Sequence, residues 1–282
     1  MNHRLLIVNA DDYGLTEMVS RGILRAFRSG IVTSLSVLPV GPAFDRTVPW
    51  LLEEPGLGVG IHLAAVGEDP PVLSATEIPT LVDRRGNFPL SWRAFLRRAI
   101  TGRVDFEDLV REFTAQAQRV LSLGIHPTHL DAHQHLHLWP PVGRVVIDLA
   151  KSLKIPAIRI PRSASRSLKG IGVNRLARAL TARASTAGLL WPQDAAGLDE
   201  AGRMDLVAVE TALERFVSRG TSTAELFVHP GEDPDGDRDR YRWGYRWADE
   251  LECLTGPEVR EAIASRGFEL VSYAALTKAG SQ

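Results

Sequence analysis

A chain of 282 residues that is 44% hydrophobic is long enough to bury one large α/β core rather than two small ones. Its formal charge of -1, from 33 basic and 34 acidic residues, predicts no broad cationic face for a nucleic-acid backbone or an anionic membrane. Cys253 is the only cysteine, which excludes an intramolecular disulfide. No apolar run approaches the roughly 20 residues that span a bilayer, so a soluble cytoplasmic protein without an export signal is the expectation.

Leu5 to Val8 is a continuous apolar stretch, as in a strand buried on both faces. Thr16-Glu17 then open a helix through Val19, Ile23 and Phe27 that stops at Gly30. Ile31 to Leu38 predicts a second strand, Phe44 to Leu52 a helix and Leu57 to Leu63 a third strand. The next helix is delayed by a Pro-rich insertion, Glu68 to Pro89, and resumes from Phe106 to Leu123. Strands follow at Thr128 to His133 and Ala157 to Ile160, separated by a helix that Pro140-Pro141 begin. Val173 to Ala187 is a basic amphipathic stretch suited to packing on the core, to covering the site or to touching a lipid-linked substrate, with packing the expectation. Asp205 to Ser218 and Pro257 to Ser265 are helical, and Glu225 to Val228 and Phe268 to Val271 are strands. Seven strands alternating with helices predict a mostly parallel sheet in a single domain with one insertion, closed as a barrel or left partly open.

Chemistry in parallel α/β proteins sits beyond the carboxyl ends of the strands. Here those ends carry Asp11-Asp12, His62, Asp131 to His133, Arg159 and His229. Adjacent aspartates at the end of an apolar strand need compensation, and a divalent cation supplies it; a bend at Gly14 would bring both carboxylates to one site. His129, Asp131, His133, His135 and His137 alternate, which on an extended segment loads one face with ligands. Tyr241, Trp243, Tyr245 and Trp247 form an aromatic group suited either to stacking on sugars or to local packing.

The motifs Asn9-Ala10-Asp11-Asp12-Tyr13-Gly14, Gly60-Ile61-His62-Leu63, Pro127 to His135 and His229-Pro230-Gly231 resemble, in order, those of the YdjC-like carbohydrate deacetylase family. The resemblance implies a distorted β/α barrel that removes the acetyl group from N-acetylated amino sugars, either chitooligosaccharide-like or lipid-linked as in the hopanoid-associated members. It carries metal ligands onto Asp12, His62 and His133, a general base onto Asp11, a general acid onto His229 and a base-orienting role onto Arg159. One divalent ion is implied, magnesium first, with zinc, manganese and cobalt as alternatives. Tyr13 stands where the family commonly has Phe, and is expected to place a phenol near the metal. The expected partner is a small N-acetylated saccharide, with no nucleic acid and no stable membrane insertion; a homodimer stays open. Two other readings remain: a metal-dependent phosphoesterase or amidohydrolase, and a sugar-binding barrel without catalysis. An amidohydrolase would carry His-x-His on the first strand, where this chain has paired aspartates.

Overall fold

Side chains such as those of Leu5 to Val8 can all be buried only in a strand covered on both faces, which is the environment of a parallel sheet. In the computed structural model, which describes residues 4–279, they lie in β1 (Arg4–Tyr13), at the centre of an eight-stranded parallel sheet. The others are β2 (Ser34–Val37), β3 (Gly58–Leu63), β4 (His129–Ala132), β5 (Ala157–Ile158), β6 (Asp194–Ala196), β7 (Thr223–Val228) and β8 (Phe268–Leu270). Their order is β5-β4-β3-β2-β1-β7-β6. One edge of β1 pairs with β7; the other is shared between β8, beside Arg4 to Leu6, and β2, beside Asn9 to Tyr13. The outer strands approach each other where Leu190, just before β6, bridges Ala157 and exchanges backbone hydrogen bonds with Ile158 and Pro156. The sheet thus curls into the distorted barrel expected from the sequence.

The flanking helices are α1 (Glu17–Ser29), α2 (Phe44–Leu51), α3 (Trp92–Ile100), α4 (Phe106–Leu121), α5 (Pro140–Ser152) and α6 (Leu168–Thr186). They continue with α7 (Leu206–Ser218), α8 (Trp247–Thr255), α9 (Pro257–Ser265) and α10 (Ala275–Ala279). Thr16 starts α1 by accepting a hydrogen bond from the Val19 amide, satisfying one of the free N–H groups of the first turn. α1 also fixes the loop after β7: a Cβ at Gly22 would fall 2.5 Å from the Gly231 backbone, so only glycine allows that approach.

The sequence does not predict β6, α3, α8 or α10, and the described residues form eight strands rather than seven. β6 is three residues, Asp-Ala-Ala, with no apolar run to mark it. The insertion between Glu68 and Pro89 is irregular but packed, with Ile78, Leu81 and Phe88 buried. α6 begins five residues before the predicted stretch and packs through the small stripe Gly170, Ala177, Leu180 and Ala184.

Candidate metal centre and active site

β1 runs past its apolar core into both aspartates. In a regular strand Asp11 and Asp12 would point to opposite sides, but the register with β2 shifts between Ala10 and Tyr13, and Asp12 has a left-handed φ of 65°. Aspartate is among the few non-glycine residues that tolerate that region. The bend therefore begins at Asp12, two residues before the Gly14 expected from the sequence, and lets both carboxylates line one cleft.

His62 on β3 and Asp131 on β4 are register partners, and Asp131 Oδ1 lies 2.7 Å from His62 Nδ1. A carboxylate only accepts, so Nδ1 carries a proton, and Nε2 presents a lone pair once its own proton is displaced. That lone pair faces His133 Nδ1 at 3.3 Å and Asp12 Oδ1 at 3.5 Å, and the latter two are 3.3 Å apart. Ligands about 2.1 Å from one ion at angles between square and tetrahedral are separated by roughly 3.0–3.4 Å, so the three atoms fit a common divalent cation. Asp12 Oδ1 is buried without a hydrogen-bond partner among the described residues, which is the orphan an ion would satisfy. Burial opposes a charge on Asp12, yet His133 and His62 hold its carboxyl well below the usual range. Burial likewise opposes charge on His62, but Asp131, Asp11 and Asp12 outweigh it and lift the ring to about 9.

Beneath this triangle lies a buried charge network. Arg159, just after β5 and fully buried, donates from Nη1 and Nη2 to the two oxygens of Asp11 at 2.6 and 2.7 Å. Nη1 also meets Asp131 Oδ2 at 2.6 Å, and Nε donates to Glu225 Oε1 at 2.9 Å. Burial pushes Glu225 up to about 7 although Arg159 pulls the other way. Asn9 donates to Asp11 Oδ1, and Ser36 donates to Asp131 Oδ2. One guanidinium thus ties Asp11 to the carboxylate that is bonded to His62.

β4 ends at Ala132, and Gln134 and His135 take left-handed backbone angles in the 3-10 turn His133–Leu138, so the alternation does not continue as an extended face. The five residues diverge. His129 points to the barrel floor, stacked on Tyr273 with ring centroids 3.7 Å apart, and burial pushes it down to about 3. His133 joins the metal triangle, His135 lines the cleft against Phe227, and His137 Nε2 donates to the Arg159 carbonyl. Tyr13 also departs from expectation: its hydroxyl donates to the Thr47 carbonyl of α2, and it does not line the cleft.

His229 enters the same cleft from the end of β7. Its backbone amide donates to Glu250, and its ring is held against Tyr245 with centroids 4.7 Å apart, leaving Nδ1 buried and without a hydrogen-bond partner among the described residues. The aromatic group divides between the two roles considered for it. Tyr241 and Trp247 are buried, whereas Trp243 and Tyr245 wall the cleft, Trp243 lying 5.2 Å from the His133 ring. Asp69 and Glu68 of the insertion fasten this loop by bonds with Tyr241, Arg240 and the Trp243 indole. The cleft has a volume of about 570 Å³, and its far wall is apolar, formed by Leu96, Leu136, Trp139, Leu168 and Leu176. The sequence assigns no role to Glu225, and to Asp131 only that of one ligand candidate among five alternating residues. The signal for Glu225 was present, as a glutamate within an otherwise apolar strand.

The model of the YdjC-like protein family matches residues 5–265. A carbohydrate deacetylase of Geobacillus stearothermophilus is 31% identical over 277 residues, covering 96% of this chain and 97% of that protein. A chitooligosaccharide deacetylase of Enterobacter sp. (strain 638) is 33% identical over 274 residues, covering 96% and 98%. Among solved structures, a putative cellobiose-phosphate cleavage protein from Enterococcus faecalis V583 superposes with a TM-score of 0.79 at 28% identity, covering 97% of this chain and 99% of that one. With the match running almost end to end in sequence and in fold, the chain belongs to the YdjC-like family and is a hydrolase of the carbohydrate N-deacetylase kind.

Proposed function

We propose that this enzyme is a metal-dependent deacetylase of an N-acetylated amino sugar, with the ion held by Asp12, His62 and His133. The observation that supports it most is the convergence of three buried ligand atoms, one of them an orphaned carboxylate oxygen. A divalent cation there would activate water and polarise the acetyl carbonyl. Asp11 is the base that accepts the proton of the attacking water, and the two-pronged contact from Arg159 keeps it aimed. His229, from the opposite wall, gives a proton to the departing sugar nitrogen, so that amine and acetate separate. Asp131 fixes the tautomer of His62, as carboxylates beside metal-binding histidines commonly do. Magnesium is the first candidate by family, while two imidazoles and one carboxylate also suit zinc, manganese or cobalt. A cytoplasmic setting belongs to the same proposal, supported by a lone thiol, Cys253, that needs no oxidising compartment.

For the substrate, Trp243 and Tyr245 offer rings to a sugar, and the apolar wall opposite favours an acetylated sugar that carries an apolar group, as a lipid-linked substrate would. Acetate release should be measured from N-acetylglucosamine oligomers and from an alkyl N-acetylglucosaminide, after chelation and with each metal restored. The proposal expects release that chelation stops and a divalent ion restores, with the alkyl glycoside preferred. Release that survives full chelation would sink the metal's role. Turnover of p-nitrophenyl phosphate alone would point to a phosphoesterase, and binding of the acetylated sugars without release to a non-catalytic barrel.

A further inference from the structure

The balanced total charge conceals a segregation that the sequence totals did not reveal. Between Arg84 and Val104 the chain has six arginines and no acidic residue, and between Leu149 and Gln193 it has nine basic residues and again no acidic one. Fifteen of the 33 lysines and arginines therefore fall in two acid-free segments, which contain α3 and α6. These helices form two lips of the catalytic cleft, through Trp92 and Leu96 on one side and Leu168 and Val173 on the other. Gln134 fastens the first lip to the metal-ligand turn by bonding the Trp92 amide and the Leu90 carbonyl.

Both lips expose apolar side chains at the same places. Leu168 is 89% exposed, Leu90 65% and Ile171 58%. On α6 the spacing puts Leu168, Ile171, Arg175 and Arg178 on one helix face, an apolar end at the cleft followed by two cations. Arg93, Arg97, Arg166, Lys169, Arg175 and Arg178 have no carboxylate partner among the described residues. Asp199, the carboxylate that reaches the start of α6, is occupied by Ser163 and the Ala164 amide. Exposed leucine and isoleucine ringed by unpaired cations is the composition that settles into a headgroup layer, with apolar tips below and charges at the phosphates.

We infer that this rim is a docking surface for an anionic lipid bilayer, which holds the mouth of the cleft against the membrane without inserting a helix. The acid-free charge commits the choice, since a second copy of the chain would meet the same repelling charge on an identical face.

Sedimentation of the full-length protein with vesicles tests it, and because it reads no turnover its outcome is separate from that of the deacetylase reading. The protein is expected to sediment with phosphatidylcholine and phosphatidylglycerol vesicles, less so as salt rises, and not with phosphatidylcholine alone. R175E/R178E should weaken that binding by about 30-fold or more. I171D should weaken it too, and both should leave acetate release from a soluble acetylated oligosaccharide unchanged. Equal binding to neutral vesicles, or wild-type binding by R175E/R178E, would overturn the inference. Retention on heparin without sedimentation would overturn it in favour of a soluble polyanion.

Discussion

Two walls of one cleft are built in different ways. On one, Asp11, Asp12, His62 and Asp131 hang from strand ends, at most 2% exposed, and share partners through Arg159. On the other, Trp92 and Leu168 sit at helix starts, 37% and 89% exposed, and share none of those partners. Strand ends locked in a parallel sheet hold groups to the tolerance that chemistry needs, whereas helix starts on the rim can vary to suit the rest of a substrate. Substitutions on the first wall should therefore change turnover and metal binding, and on the second only recognition.

The largest break should come from Asp11→Asn, which is expected to lower kcat by about 10²–10⁴-fold while metal binding stays within a few-fold of wild type. Wild-type turnover by the purified variant would remove Asp11 from the role of base. Arg159→Met removes the cation that three buried carboxylates share and should cost about 3–5 kcal/mol of stability, read by denaturant unfolding. If stability is unchanged, the network is not held together by its cation. Asp131→Asn should weaken metal affinity by about 10–100-fold, with activity recovered at high metal concentration. Asp11→Asn should not be recovered at any concentration. On the aromatic loop opposite the apolar wall, Trp243→Ala should raise KM by about tenfold with kcat little changed, as a lost stacking contact would. A fall confined to kcat would place the indole with the chemistry instead.

Metal affinity should also depend on pH in a defined sense. Without metal, His62 holds a proton up to about 9, and an ion must displace it to reach Nε2. Affinity therefore rises as pH increases towards about 9, by up to about tenfold per unit, and then levels off. Calorimetric titration at several pH values checks this, and affinity that falls over the same window would contradict it.

The succession of most strands along the chain, and the ends that carry Asp11, Asp12, His62, His133, Arg159 and His229, are legible because long apolar runs give a strong signal and ionisable groups at their ends stand out. What escaped depends on backbone angles and contacts distant in sequence. Nothing in a one-dimensional pattern states that Asp12 is left-handed, or that β4 stops at Ala132 and scatters His129, His135 and His137. The sequence counts Asp131 as one more ligand candidate, and only the register across the sheet shows its carboxylate bonded to the His62 ring. The cationic rim was hidden by averaging, since the acids that cancel it lie elsewhere in the chain.

The account rests on a single divalent ion shared by Asp12, His62 and His133, and calorimetric titration of the metal-free protein measures it directly. Saturation at one ion per chain is predicted, abolished in His133→Ala and preserved in His135→Ala, whose ring lies outside the triangle. No saturable binding, or binding by His133→Ala as tight as wild type, would contradict it.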